Sequence, residues 1–465
     1  MFAIDSSLPI PPYKQICDQV ARGRASGDLP AQHRLPTVRK LAAELGVAAN
    51  TVARAYRELE ESGLIETRGR HGSFVTGTEQ SATALPRADV DPGGLLEYSV
   101  VYADRALNHM SSRFVAVMQD IIGVLTDAYR ADRVAVVPGG GTYAMEAVAR
   151  QLAQDKRCLV VRNGFFSYRW SQILQQCRIS DDVTVVQARP VGPQHQAAWT
   201  PAPIADVVAA LRESRAEVVF APHVETASGM MLPDAYLTEL GAAVREAGAI
   251  FVLDCIASGA MWVDMEASGV DVLLSAPQKG WSGSPGAGFV MLSRRAAEAV
   301  QDSESSSFSA DLRRWLAITD GYAEGRHAYH ATMPTDALAR SARAMLETRE
   351  RGFEALRAAQ LELGARVRAL LAARGYPSLA ADGFHAPGVA VVYTDDPERK
   401  SGAAFAAVGV QAAAGVPLQC GEPEDFSTVR FGLFGLEKLT DVQGTVARLE
   451  RALDRMAEVG APGAP

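Results

Sequence analysis

A lysine and an aspartate that follow two apolar runs are the residues of this chain most suited to chemistry. The run 251–253 ends at Asp254, and the run 270–274 leads into Lys279 within the segment Ser-Ala-Pro-Gln-Lys-Gly-Trp. Such runs predict buried strands, and parallel strands would bring both side chains to the sheet edge where α/β proteins bind ligands. An amine that forms a Schiff base and an acid that keeps a pyridine nitrogen protonated suit pyridoxal phosphate (PLP). A lysine in an ordinary surface turn is the competing interpretation.

Three further segments follow predicted strands and would complete such a site. Segment 138–142 is rich in glycine and precedes a predicted helix at 143–152, an arrangement that binds phosphate through free backbone N–H groups. An aromatic pair, Phe165 and Phe166, follows the next strand, and segment 223–229 offers hydroxyl groups after the fourth. Each segment alone is equally compatible with a tight turn or a core position. Their order ahead of Asp254 and Lys279 favours a cofactor site.

The composition is that of a globular protein with two or three domains. Of the 465 residues, 48% are hydrophobic and 22% are charged. No apolar run approaches the roughly 20 residues of a membrane span, and the N-terminus lacks a signal-peptide core. The five cysteines are spaced neither for a metal nor as pairs, so we expect no metal site and a cytoplasmic location.

The net charge of −8 is unevenly distributed. Residues 1–76 contain ten Lys/Arg and eight Asp/Glu, a net charge of +2, so the remaining residues carry −10. This asymmetry indicates an N-terminal module with an anionic partner.

The N-terminal module has the pattern of a helix-turn-helix followed by a wing. Apolar spacing predicts a first helix at 11–24, a second that Thr37 caps and Gly46 ends, and a third from Asn50 to Gly63. Segment 64–75 then predicts two short strands around a basic turn. The side chains suited to base edges or phosphates are Asn50, Thr51 and Arg54, and phosphate-neutralising charge comes from Arg34, Arg39, Arg68 and Arg70. A winged helix that contacts only protein is the alternative.

Three blocks of this module resemble a GntR-type DNA-binding domain over roughly residues 9–76. They read Leu-Pro-Thr-Val-Arg, Asn-Thr-Val-Ala-Arg-Ala-Tyr and Gly-Arg-His-Gly-Ser-Phe-Val. The resemblance implies that operator DNA is contacted by Arg39, Asn50, Thr51, Arg54 and the wing around Arg70 and Gly72. Residues 77–94 are poor in large apolar side chains and predict a linker, which makes 1–76 the DNA-binding domain.

From residue 134 onward, short apolar runs alternate with helix-length segments. Strands are predicted at 134–137, 158–161, 183–186, 218–220 and 250–253. The alternation predicts an α/β fold, with a mostly parallel sheet covered by helices, over residues 95–334. A long helical stretch at 335–372, strands at 389–393 and 429–431, and helices near 403–408 and up to about 456 predict a small α+β domain at 335–460.

Seven blocks in residues 95–460 resemble a class V aminotransferase of PLP fold type I, similar to the alanine–glyoxylate and serine–pyruvate group. They are Gly-Gly-Gly-Thr-Tyr-Ala-Met-Glu-Ala, Asn-Gly-Phe-Phe-Ser-Tyr-Arg, His-Val-Glu-Thr-Ala-Ser-Gly, Asp254 with Ser258, Gln278-Lys279, Tyr-His-Ala-Thr from Tyr329, and Val-Arg-Phe-Gly around Arg430. The resemblance implies that Lys279 forms the internal aldimine and that Asp254 pairs with the pyridinium nitrogen.

The same resemblance assigns the remaining site residues. Gly141, Thr142 and Gln278 would hold the cofactor phosphate, Phe166 would stack on the ring, and Thr226 or Ser228 would bond the ring oxygen. Tyr329 and Thr332 would reach the phosphate of a neighbouring subunit, which implies a homodimer. Arg430 would bind a substrate carboxylate through its planar fork.

A GntR-type domain followed by an aminotransferase-like domain resembles the MocR architecture of bacterial regulators, here with class V rather than class I blocks. One hypothesis is a PLP-dependent transcription regulator that binds an amino acid or amine as an external aldimine. The other is an active aminotransferase with an appended DNA-binding domain. The complete catalytic set supports the enzyme, and the intact recognition helix supports the regulator.

Overall fold

A computed structural model describes residues 2–5, 10–26, 28–76, 90–91 and 93–459. The chain divides into two compact units, Met1–Arg105 and Ala106–Pro465. Most of the predicted linker lies outside the described residues, so the boundaries at 76, 94 and 334 stay predictions.

The first unit contains three helices and a two-stranded wing. They are α1 (Pro12–Ser26), α2 (Val38–Leu45), α3 (Ala49–Glu61), β1 (Ile65–Thr67) and β2 (Ser73–Val75). The hydroxyl of Thr37 accepts the N–H of Lys40 and caps α2, and Gly46 ends this helix with a φ of 65°. The two strands pair antiparallel, with Ile65 opposite Val75. The predicted helix-turn-helix with a wing is confirmed.

The three helices of this unit enclose one apolar core. Its fully buried members include Ile16 and Val20 of α1, Leu41 of α2, and Val52 and Leu59 of α3. The regularly spaced apolar side chains of each helix therefore pack against the other two helices. The polar residues of α3 lie on its outer side.

A seven-stranded sheet organises the second unit. The strands up to the end of this sheet are, in chain order, β3 (Arg133–Pro138), β4 (Cys158–Arg162), β5 (Val183–Gln187), β6 (Arg189–Pro190), β7 (Trp199–Thr200), β8 (Val218–Pro222), β9 (Val224–Glu225), β10 (Met230–Met231), β11 (Ile250–Asp254), β12 (Val272–Ser275) and β13 (Ala287–Leu292). The sheet order is β3-β13-β12-β11-β8-β4-β5. Strand β13 pairs antiparallel with both neighbours, and the other pairs are parallel. The predicted, mostly parallel sheet is confirmed, and β13 was not predicted.

Helices cover the sheet. They are α4 (Ser112–Tyr129), α5 (Gly141–Leu152), α6 (Phe165–Gln176), α7 (Ile204–Ser214), α8 (Asp234–Glu246), α9 (Met265–Ser268), α10 (Arg294–Gln301) and α11 (Leu312–Ala323). Every residue of β8, β11, β12 and β13 is buried, so these strands are covered on both faces. This double covering explains why the central strands consist of continuous apolar runs.

The C-terminal part contains a three-stranded antiparallel sheet, ordered β14-β16-β15. Its elements are α12 (Thr335–Arg351), α13 (Phe353–Ala373), β14 (Val389–Tyr393), α14 (Pro397–Ser401), α15 (Ala403–Ala407), β15 (Ala413–Ala414), β16 (Thr428–Gly432), α16 (Leu436–Thr440) and α17 (Val442–Val459). The helical stretch predicted at 335–372 is confirmed, and Gly352, with a φ of 89° that favours glycine, divides it into two helices. The predicted α+β class is confirmed. In the described part of the chain, no helix is long and apolar enough to cross a membrane.

Candidate functional site

Asp254 and Lys279 leave the sheet at the same edge. Strands β11 and β12 are parallel, with Asp254 opposite Leu274, and Lys279 follows five residues later. One oxygen of Asp254 (Oδ1) accepts the N–H of Ile256 at 2.9 Å. Burial raises the pKa of Asp254 to about 7, although that hydrogen bond and the charges of Arg169 and Lys279 oppose the shift. A cationic partner would therefore stabilise the ionised form of this buried acid.

The loop that carries Lys279 is held rigidly. The buried indole of Trp281 donates from Nε1 to the hydroxyl of Ser275, at the end of β12, over 3.1 Å. Gly280 lies so close to the carbonyl oxygen of Gly259 that a Cβ at this position would collide with it. The backbone on the C-terminal side of Lys279 is thus fixed by packing.

The amine of Lys279 lies in a half-buried, positively charged environment. Burial lowers its pKa first, the charges of Arg430 and Arg169 lower it further, and Asp254 opposes them. The amine (Nζ) lies 5.7 Å from the centroid of the Phe434 ring. At neutral pH, the fraction of Lys279 present as the neutral, nucleophilic amine is therefore larger than for a lysine in water.

The start of α5 forms a cradle next to the loop after Asp254. Gly139 and Gly140 precede it with φ values of 114° and 145°, which favour glycine. A Cβ on Gly141 would lie 2.6 Å from the Cδ1 atom of Ile256. Thr142 is exposed, and its Oγ1 accepts a hydrogen bond from Nη1 of Arg169 at 2.9 Å. The free N–H groups of this twelve-residue helix offer a place for an anion.

A buried carboxylate positions the aromatic residue Phe166. Glu225 is fully buried and accepts the N–H groups of Phe166, Ser167 and Ala227, at 3.3, 2.8 and 2.9 Å, and the hydroxyl of Ser167 at 2.7 Å. Burial raises its pKa, and these hydrogen bonds oppose the shift. The carboxylate joins the start of α6 to the loop after β9. Glu225 was not predicted as a site residue, although an acid among apolar residues that are predicted to be buried was a usable signal.

The loop after β9 contains both predicted hydroxyl residues. Thr226 and Ser228 are buried. The Oγ of Ser228 makes no hydrogen bond with any described residue. A buried hydroxyl without a partner is unfavourable, so it is suited to bonding a ligand oxygen.

Two guanidinium groups lie beside the Phe166 ring. The Cζ of Arg430 lies 5.6 Å from the ring centroid, and the Cζ of Arg169 lies 5.2 Å from it. The Nε of Arg430 donates to the carbonyl oxygen of Ala414 at 2.9 Å. Burial lowers the pKa of Arg430, and Glu225 opposes the shift. Arg430 was predicted, and Arg169 was missed.

Gln278, Tyr329 and Thr332 are exposed. The Tyr329 ring lies 5.3 Å from His109, and 56% of the residue is exposed. Among the described residues, no hydrogen bond or ring contact joins Tyr329 or Thr332 to Lys279, Asp254 or Thr142. Their assigned role with a second subunit stays a prediction.

A large cavity of about 980 Å³ lies elsewhere, at the opposite end of β12. The Arg295–Asp271 ion pair, which includes a buried carboxylate, lines it. None of the proposed site residues does, so its size says nothing about the chemistry at Lys279.

The N-terminal unit presents most of its predicted DNA-contacting residues at its surface. Arg39, Asn50 and Arg54 are exposed, and Thr51 is half-buried. The Nε of Arg54 donates to Glu58 at 3.0 Å, and its Cζ lies 3.8 Å from the centroid of the Tyr13 ring. The contact of Arg54 with DNA stays a prediction, and it would replace these exposed contacts.

The wing brings a second group of predicted residues together. Arg34 is exposed, and its Nε would lie 3.1 Å from a Cβ placed on Gly72, whose φ is 102°. Gly69–His71 forms a 3₁₀ turn that contains Arg70, whose side chain lies outside the described part. Arg68 pairs with Glu66 on the same wing.

Comparison with known proteins identifies the N-terminal unit. Residues 12–75 match the family described as bacterial regulatory proteins, gntR family. The HTH-type transcriptional regulator Rv1152 of Mycobacterium tuberculosis is 49% identical over 85 residues, which cover 18% of this chain and 70% of that protein.

The second unit has relatives of nearly its full length. The 2-aminoethylphosphonate–pyruvate transaminase of Paraburkholderia phymatum is 30% identical over 363 residues, covering 76% of this chain and 90% of the relative. An aspartate aminotransferase of subgroup IV from Thermus thermophilus has a similar structure, with a TM-score of 0.62 and 26% identity over 75% of this chain and 93% of that one. Aminotransferases are a family that uses PLP. This chain therefore belongs to the class V aminotransferases and carries a GntR-family helix-turn-helix domain at its N-terminal end.

Proposed function

We propose that this protein is a DNA-binding regulator whose aminotransferase-like unit binds PLP and an amine or amino acid. The observation that supports this most is that Asp254 and Lys279 share one edge of the sheet. The same chain also carries a GntR-family DNA-binding domain. A regulator of this kind would act in the cytoplasm on operator DNA.

The residues of the site fit PLP. Asp254 is a buried acid whose raised pKa would fall on pairing with a protonated ring nitrogen. The start of α5 suits the phosphate, Phe166 suits the ring face, and the unpartnered Ser228 hydroxyl suits the ring oxygen. When bound, PLP supplies an electron sink for a carbanion next to the ligand's amine.

Lys279 would bind the aldehyde of the cofactor covalently. Its lowered pKa favours the neutral amine, which is also the form that takes a proton from the ligand's α-carbon. Asp254 would hold the proton of the ring nitrogen in place.

Arg430 is the residue that we assign to an acid group of the ligand. Its guanidinium lies beside the Phe166 ring, where it could form a bidentate contact with a carboxylate or a phosphonate. The names of the transaminase relatives include a phosphonate amine and an oxo acid, both of which are anionic. We therefore propose an amine ligand that carries an anionic group.

A homodimer would complete the regulator. Tyr329 and Thr332 are exposed, which is compatible with contacts to the phosphate of a neighbouring subunit. A dimer would also present two winged helices to an operator with two half-sites.

Covalent trapping tests the proposal. Borohydride reduction of the PLP-loaded protein, followed by peptide mass spectrometry, should place the adduct on Lys279, and Lys279→Ala should remove it. An adduct on another lysine would refute the site.

An active aminotransferase is the second candidate, because Lys279, Asp254 and Arg430 are all present. A turnover assay with a panel of amines and oxo acids, run beside operator binding, separates the two functions. Rapid turnover without any ligand effect on DNA binding would favour the enzyme.

A further inference from the structure

We infer that Arg169 binds the phosphate of the cofactor and thereby makes the site select phosphorylated over unphosphorylated pyridoxal. This inference rests on the proposed function, because it assumes that PLP occupies the site. Arg169 is not among the residues that sequence reasoning assigned to the phosphate, namely Gly141, Thr142, Gln278, Tyr329 and Thr332.

Arg169 lies beside the proposed phosphate cradle. Nη1 of Arg169 donates to Oγ1 of Thr142 at 2.9 Å, which places a guanidinium at the first turn of α5. Arg169 and Phe166 are three residues apart in the first turns of α6, so both side chains lie on one face of that helix. The Cζ of Arg169 is 5.2 Å from the Phe166 ring. Arg169 thus extends between the proposed ring-stacking residue and the proposed phosphate cradle.

The charges around Arg169 favour an anionic ligand. Among the described residues, no ion pair includes Lys279, Arg169 or Arg430, although exposed arginines elsewhere in the chain commonly pair with acids. The nearby acids, Asp254 and Glu225, are buried, and burial favours their neutral forms. Arg169 and Arg430 therefore carry positive charge that no ion pair with a described residue neutralises, and an anion of charge −2 would neutralise it.

The two arginines of the site are held by different elements. Arg430 is held by the carbonyl oxygen of Ala414 on the small sheet, whereas Arg169 is held by Thr142 on α5. A guanidinium has five N–H donors, and Thr142 uses one of them, so Arg169 keeps a fork for two phosphate oxygens. Arg430 remains available for the acid of the ligand.

Competing cofactor forms provide the experiment. PLP and pyridoxal share the ring and the aldehyde, and only PLP carries the phosphate. Both would be titrated into the cofactor-free full-length protein and followed by absorbance. We expect Arg169→Gln to weaken PLP binding roughly 10- to 100-fold and to leave pyridoxal binding unchanged. Inorganic phosphate should compete with PLP less well in this variant than in the wild type.

Two variants serve as controls. Arg169→Lys keeps the charge without the fork and should lose less PLP affinity than Arg169→Gln. Arg430→Gln should leave the ratio of PLP to pyridoxal affinities unaltered. The melting temperature of each variant without cofactor shows whether it is folded, and an Arg169→Gln protein that does not fold leaves Arg169→Lys to carry the comparison.

Three outcomes are distinguishable. An unchanged affinity ratio in Arg169→Gln, or in folded Arg169→Lys when Arg169→Gln does not fold, would overturn the inference. Unchanged PLP affinity with weakened binding of an acidic amine would overturn it too, by assigning Arg169 to the ligand. Absence of a borohydride-reducible adduct in the wild type would instead refute the proposed function, whatever the variants do.

Discussion

Asp254 has an unusual proton equilibrium for a carboxylic acid, because it is buried. Burial raises its pKa from 3.8 to about 7, so between these values the folded chain holds a proton that the unfolded chain releases. The stability from this proton is fully present below about pH 4 and is lost as the pH rises through about 7. We predict that the free energy of unfolding of the cofactor-free protein is about 1–4 kcal/mol smaller at pH 8 than at pH 5. Its melting temperature should therefore be lower at pH 8.

The Asp254→Asn variant isolates this effect, because an amide has no proton to lose in that range. Its melting temperature should depend less on pH than that of the wild type, measured by calorimetry in matched buffers. Adding PLP to the wild-type protein should restore the stability that it loses at pH 8, because the ionised carboxylate of Asp254 then has a cationic partner. An equal pH dependence in both proteins would show that Asp254 is not the titrating group.

Arg430 gives a prediction about ligand chemistry. Arg430→Lys should weaken amines that carry a carboxylate or phosphonate roughly 10-fold or more, because lysine lacks the bidentate fork. PLP loading should be unaffected. Spectral titration with alanine, 2-aminoethylphosphonate and an alkylamine that lacks an acid group measures this. Arg448→Lys, on the exposed surface, is the matched control. Equal losses for neutral and acidic amines would contradict the assignment.

At this scale the sequence predicted residues whose chemistry is local and missed those whose role depends on long-range contacts. Asp254 and Lys279 stand directly after strands, so their shared edge follows from the order of the elements. Glu225 contacts Ser167 across 58 residues, and Arg169 contacts Thr142 across 27. No spacing rule connects such positions, and only the folded sheet brings them together.

The loop between β12 and β13 determines where Lys279 can point. A Cβ on Gly280 would collide with the backbone at Gly259, and backbone cannot move aside as a flexible side chain can. We predict that Gly280→Ala displaces the loop and lowers PLP affinity at least about 10-fold, with a loss of stability of about 1–3 kcal/mol. Absorbance titration and thermal unfolding measure both effects.

Gly93→Ala provides the comparison for this variant. A Cβ at Gly93 would have no atom within 4 Å, so both properties should stay at wild-type values. Wild-type PLP binding in Gly280→Ala would mean that the loop adapts, and the rigid placement of Lys279 would be wrong.

Among the elements, the apolar runs that lie between helix-length segments were the most predictable. Strands β3, β4, β5, β8 and β11 were recognised as continuous apolar runs flanked by helix-length segments. Strand β13 was missed because a Ser/Gly/Pro-rich stretch precedes it, and no sequence pattern reveals its antiparallel direction. The break at Gly352 was missed because the residues on both sides favour helix, and the single positive φ is a local property of the backbone.

For the whole molecule, the two units suggest linkage between ligand and DNA. If the protein forms the proposed dimer, and that dimer has two conformations that hold the DNA-binding domains differently, each ligand must change the affinity for the other by the same factor. We predict that an amine that alters the PLP spectrum changes operator affinity roughly 5- to 150-fold. Lys279→Ala should remove much of this response. DNA titrations with and without PLP and ligand measure it.

Arg54→Ala tests the reader in the same titrations. Its operator affinity should fall in every ligand state, because the exposed guanidinium on α3 would no longer reach DNA. Unaltered binding would mean that α3 does not face the groove. Ligands that bind fully at the cofactor yet leave DNA binding unmoved would support an enzyme with an appended domain.

The late position of the antiparallel strand β13 in the chain delays the completion of the large sheet during synthesis. Strand β3 ends at Pro138, yet its partner in the sheet begins at Ala287, about 150 residues later in synthesis. During translation the first strand of the large sheet therefore waits, without its neighbour, until most of the domain has left the ribosome. The wing needs no such delay, because its strands β1 and β2 follow each other closely in the chain and pair directly. A nascent chain stalled before residue 287 would thus carry a folded DNA reader attached to an unfinished sheet, and chaperone demand should fall on the second part alone.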